Sequence, residues 1–119
     1  MTGEAEQIAA VLKAARYRYA DEGQLQEGIA AALAEAGIAA VREVPLTPAD
    51  KIDLMAGLVG IEVKIAGQPA ADARQLRRYA ASPEVGELIL VTTRASHRSV
   101  PREISGKPVH VVLLSGVTR

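Results

Sequence analysis

The chain changes its hydrophobic period once. Up to about residue 37, apolar positions recur every three to four residues; beyond that they alternate with polar positions or run together. Residues 4–16 carry the stripe Ile8, Val11, Leu12, Ala15, which predicts an amphipathic helix. The stretch 17–20 interrupts it, and Asp21 is a candidate N-cap for a second helix that ends near Gly37. The apolar stripe of this helix is Leu25, Ile29, Ala32, Leu33, Ala36. Residues 39–46 then predict a strand halted by Pro45 and Pro48. Residues 51–57 and 58–65 predict two more, with Gly57 and Gly60 allowing a tight hairpin between them. Gly67 and Pro69 break the chain before a short helix over 71–81, closed by Pro83. The continuous apolar run 87–93 has the pattern of a strand buried on both faces. A polar, basic connection (94–107) with room for one helical turn leads to a last strand, 108–114. Helix, helix, three strands, helix, strand, loop, strand is the order of an α/β fold: a mixed sheet with helices on its faces.

At 119 residues the chain suits one domain with one core, and without Phe or Trp that core is aliphatic. No apolar run reaches the roughly 18 residues of a membrane span. The polar start, Met1 to Gln7, leads into no secretory pattern. Without cysteine there are no disulfides and no thiolate zinc sites, which fits the cytoplasm, that of a bacterium or a phage-infected cell. There is no Gly-rich phosphate loop, no HExxH and no Ser/His/Asp spacing, so no organic cofactor is expected. Net charge is zero but unevenly divided: residues 1–62 hold ten acids and five bases, residues 63–119 nine bases and four acids. Nucleic-acid binding depends on a local patch rather than on the total. A solvated surface of uneven charge is the alternative.

Chemistry concentrates in Ile52-Asp53-Leu54 and Ile61-Glu62-Val63-Lys64. Residues two apart on a strand share a face, so Glu62 and Lys64 project together while Ile61, Val63 and Ile65 project to the other side. A carboxylate and an ammonium on an otherwise apolar strand cost desolvation energy unless they are paired or bind something. If 51–57 and 58–65 pair, Asp53 lies beside Glu62. Two adjacent acids repel, and a divalent cation resolves the conflict. Such an ion activates water and polarises a phosphoryl oxygen, while a nearby lysine orients the water or stabilises the charge on the phosphate. Taken singly, Glu-x-Lys is an ordinary ion pair and Asp53 an ordinary hairpin residue; their order on consecutive strands is what carries the signal.

Asp followed after a short gap by Glu-x-Lys resembles the signature of the PD-(D/E)xK nuclease superfamily, with its restriction endonucleases, Holliday-junction resolvases and small phage nucleases. The resemblance covers about residues 21–114, with 1–20 as a helical extension of a single nuclease domain (1–119). Ile52 stands where the signature's name has proline. The resemblance implies a restriction-endonuclease-like core and a Mg2+- or Mn2+-dependent endonuclease acting on DNA, with a lean towards branched or junction substrates. Asp53, Glu62 and the Val63 carbonyl would bind metal, and Lys64 would activate or orient the water.

Members often carry an acid on the helix before the meander. Glu22 shares the stripe of Leu25, Ile29 and Leu33 whereas Glu27 points away, so Glu22 is the choice, holding a second metal or a metal-bound water. A favourable charge at a helix N-terminus is its other reading, and Gln26 could orient it. Some members have a Gln on the helix after the Glu-x-Lys strand, a place Gln75 fills; an ordinary helical Gln is its alternative. Lys51, Arg74, Arg77, Arg78 and Arg98 are candidate phosphate contacts, joined by Arg94, Arg102 and Lys107 in the basic connection. Tyr79 is a candidate base-stacking residue, or else packs its ring in the core. Tyr17, Arg18 and Tyr19 could touch DNA or form a surface turn. His97, in the basic connection, and His110, inside a strand, are not taken as ligands. One small unit offers DNA little surface, so a homodimer is expected. A non-catalytic nucleic-acid-binding or assembly subunit is the rival reading, against which the complete Asp/Glu/Lys set argues; an RNase or exonuclease is the rival among enzymes.

Overall fold

The computed structural model describes residues 3–114. Two helices open the chain, α1 (Glu4–Ala14) and α2 (Glu22–Glu35). Ala5, Ile8, Ala9 and Leu12 form the buried stripe of α1. Asp21 caps α2, its carboxylate accepting the Gln24 N–H at 2.8 Å. The strands β1 (Val41–Pro45), β2 (Lys51–Ala56) and β3 (Val59–Lys64) follow as an antiparallel meander. Helix α3 (Pro69–Ala80), with Pro69 in its first turn, crosses over to β4 (Glu87–Thr92), which lies parallel to β3. The short strand β5 (Glu103–Ile104) and the final strand β6 (Lys107–Leu113) complete a mixed six-stranded sheet in the order β1-β2-β3-β4-β6-β5.

The sheet has a core on each face. Ile61, Val63, Ile89 and Val91 pack with α1 and α2; Leu88 and Leu90 pack with Leu76 and Tyr79 of α3. Coverage of both faces explains why β4 is apolar throughout. Helix α1 lies over β6 and β4, so the N-terminal helix is part of the core packing rather than an appendage to it.

Three local readings are corrected. Gly60 is not a turn residue but lies inside β3, where a Cβ would stand 2.6 Å from Ile52 Cδ1 and 3.2 Å from Leu88 Cδ2; it leaves room for the core. The 94–107 connection is structured, with a 3-10 helix (Ala95–Ser99), β5, and Val100 and Ile104 buried under α3. Tyr17 and Tyr19 are buried, not a surface turn or a DNA contact; the Tyr17 hydroxyl donates to the Leu12 carbonyl at 2.8 Å, and burial pushes its pKa up to about 12.

Candidate catalytic site

The site forms where β2 leaves β3. Their ladder pairs Ala56 with Val59, Met55 with Gly60 and Leu54 with Ile61. At Asp53 side chains take over: the Val63 N–H donates to Asp53 Oδ2 at 2.8 Å, and the Asp53 N–H donates to Glu62 Oε1 at 3.2 Å. Each acid is thus locked to the other's strand. The alternation of β2 breaks at this point, since Leu54 packs towards α1 and α2 while Ile52 and Met55 both pack towards α3. The neighbouring strand bends with it: Glu43, between the partners of Leu54 and Ile52, has φ 52°, a left-handed value that non-glycine residues rarely adopt.

Glu62 is only 4% exposed, and Asp53 is half-buried. Burial first, and then the adjacent Asp53, pushes the Glu62 carboxyl from 4.5 to about 8. Burial also raises Asp53, against the Val63 N–H and Lys64, which lower it. Lys64 turns its Nζ to Glu62 Oε2 at 3.6 Å and to Asp72 Oδ1 on α3 at 3.8 Å. Glu22 is brought in from the first turn of α2. Burial is the main reason its pKa is raised; the nearby Lys64 ammonium and Ile65 backbone lower it, and Asp53 and Asp72 raise it further. Glu27 points to solvent. Four carboxyl groups, from α2, β2, β3 and α3, therefore surround one ammonium.

No family model, curated protein or solved structure matches this chain.

What the site can do is set by its own geometry. Among the described residues no three His, Asp or Glu side chains converge into a ready-made metal cage. Mg2+ does not need one: it keeps several waters and takes one or two carboxylates together with substrate phosphate. Asp53 and Glu62 fit that demand. The N–H and C=O of a strand residue face the same edge, so the Val63 carbonyl opens towards the same gap as the N–H that meets Asp53.

The candidate DNA contacts divide. Arg74, Arg77 and Arg98 are exposed. Lys51 is exposed but 3.6 Å from Glu43, and Arg78 is bound to Asp50 at 3.0 Å. Tyr79 is corrected: at 1% exposure it cannot stack on a base, and its hydroxyl donates to the Lys51 carbonyl at 3.2 Å. Burial, then the fields of Glu62 and Asp53, raise its pKa; its place beside β2 makes Tyr79 a wall of the site. Arg102 donates to the carbonyls of Arg98 and Val100, and Lys107 donates to the Ser82 carbonyl at the opposite end of the sheet from Lys64. Arg94 is exposed just beyond β4. Gln26 does not orient Glu22; its Oε1 accepts from Arg42 Nε at 3.3 Å and Nη2 at 3.0 Å.

Sequence reasoning missed Asp72 and His97. The α3 side chain that meets Lys64 is Asp72, and Gln75, three residues on, is half-buried. Asp72 shares the buried stripe of Leu76, Tyr79 and Ala80, so the helical phase that singled out Glu22 would have singled it out too. His97, read as part of a basic loop, is completely buried and reaches Asp72 Oδ2 at 2.6 Å. His110, inside β6, meets Glu87 of β4 at 3.2 Å.

Proposed function

We propose that the chain is a metal-dependent nuclease of the PD-(D/E)xK type, built on a restriction-endonuclease-like core and hydrolysing phosphodiester bonds in DNA. One observation carries this: Asp53 and Glu62, on adjacent strands, each accept a backbone N–H of the other's strand, while Lys64 projects beside them among an excess of acids. The meander, crossover helix and parallel fourth strand support it.

Asp53 and Glu62, with the Val63 carbonyl, are the groups that would hold Mg2+ or Mn2+. When bound, the ion lowers the pKa of a water and neutralises charge on the scissile phosphate. Its charge would also offset the burial and the repulsion from Asp53 that raise the Glu62 carboxyl in the free protein. Lys64 orients the attacking water and stabilises negative charge as it builds on the phosphate oxygens. Glu22, on the α2 side, would hold a second ion or a water of the first. Arg74, Arg77, Arg98 and Lys51 contact backbone phosphates, and a second copy of the chain extends the DNA-binding surface.

The test is cleavage of a panel of linear duplex, single strand, nicked, flap and four-way-junction DNA in Mg2+ or Mn2+. EDTA and Lys64→Ala serve as controls. Metal-dependent cutting that falls at least about 100-fold in Lys64→Ala is the expected result. Binding without cutting, the same in both proteins, would overturn the reading in favour of a non-catalytic binding subunit.

A further inference from the structure

Lys64 is held from two sides. Asp72, which faces it from α3, is itself nearly buried and commits its other oxygen to His97 Nε2 at 2.6 Å. On the far side of the ring, His97 Nδ1 lies 2.7 Å from Thr92 Oγ1. Thr92 in turn accepts the Arg94 N–H at 3.0 Å. His97 and Thr92 are fully buried. The loop between β3 and α3 is shaped to the same group: a Cβ on Gly67 would stand 2.7 Å from Asp72 Oδ2, and Gly67 has φ +102°. Two strands, a helix, a 3-10 helix and a glycine loop thus converge on one carboxylate.

Burying an aspartate and a histidine is costly unless they are paired, and here each is the other's partner. Its product is a carboxyl group fixed in place facing Lys64. A lysine stem is long and flexible, and an ammonium beside Glu62 alone would settle against the carboxylates that are to hold the metal. Asp72 supplies the opposing attraction, and His97 keeps Asp72 from swinging. Thr92, His97 and Asp72 follow one another as a nucleophile, base and acid would, but the buried Thr92 hydroxyl is closed to any substrate.

We propose that Asp72, anchored by His97 and Thr92, is a positioning residue that holds the Lys64 ammonium between itself and Glu62, so that it does not collapse onto the Asp53–Glu62 pair and stays in reach of substrate. The geometric claim stands on these contacts; its catalytic consequence rests on the nuclease reading.

Two readouts test it. The first is the nitrogen-15 NMR signal of the Lys64 ammonium, assigned by its loss in Lys64→Arg. It should be resolved and slowly exchanging in the wild type, and lost in Asp72→Asn and weakened in His97→Gln, with the backbone amide spectrum retained. The second is kinetic: Asp72→Asn should lower kcat by about 10- to 100-fold at unchanged KM for DNA. If Asp72→Asn fails to fold, His97→Gln and Gly67→Ala read the same signal. A Lys64 signal unchanged in the folded variants, or a kcat equal to the wild type's, overturns the proposal. If the wild type cuts no DNA, the ammonium signal alone decides the positioning claim, so the two readings fall separately.

Discussion

Glu62 and Tyr79 show how one environment acts on two kinds of residue. Glu62 is forced to hold its proton by burial and by Asp53, at a pKa of about 8 against an ordinary 4.5. A carboxyl whose folded pKa is raised binds its proton more tightly folded than unfolded. Its contribution to stability is therefore complete below pH 4.5 and lost as the pH rises through about 8. The raised Asp53 acts in the same direction. In EDTA, the thermal midpoint should fall between pH 5 and pH 8.5, and Glu62→Gln should flatten that slope. Mg2+ should restore more of the midpoint at pH 8 than at pH 5.5; an apoprotein that becomes more stable over this range would contradict the assignment. Tyr79 is a wall, so Tyr79→Phe should cost about 1 kcal/mol through the lost bond to the Lys51 carbonyl. DNA affinity in a filter-binding assay should not change.

At the scale of elements, the meander makes the site. Glu62 and Lys64 share a face because β3 is regular, a fact read directly from their spacing. Asp53 joins them because β2 is irregular at that one residue, with β1 bending at Glu43 beside it. Spacing alone places Asp53 near Glu62 but cannot show the exchange of side-chain for backbone hydrogen bonds that locks them together. The register depends on Gly60, against which Ile52 and Leu88 pack. Gly60→Val should overpack this contact and cost about 1–3 kcal/mol in urea unfolding. Full stability in that variant would show that the sheet has more room there than the contacts allow.

For the whole molecule, zero net charge conceals a division of labour. The acids from α2, β2, β3 and α3 gather around Lys64, and exposed arginines stand on the outer surface of α3. Among the described residues, no helix is long and apolar enough to cross a membrane. If Arg74 and Arg77 grip phosphates, replacing each by Ala should weaken DNA binding evenly across sequences. Each should also reduce the slope of log affinity against log salt by about 1. An unchanged slope in the double variant would move the DNA path away from α3.

Element types and order could be read from the sequence because hydrophobic period reports which face a segment buries, and that is a local property. Glu62, Lys64 and Glu22 could be read for the same reason, as charges on a strand or stripe otherwise bound for the core. Asp72, His97 and Thr92 span 25 residues, and Arg42 meets Gln26 across 16. No periodicity links such distant positions. An aspartate in a first helical turn and a histidine among basic residues each have an ordinary local explanation. Only the parallel pairing of β3 with β4, and the fold of the 3-10 helix back under α3, set them in one buried chain behind Lys64. Segment type is written locally in the residues, whereas the support behind a reactive group is decided by which segments tertiary packing brings together.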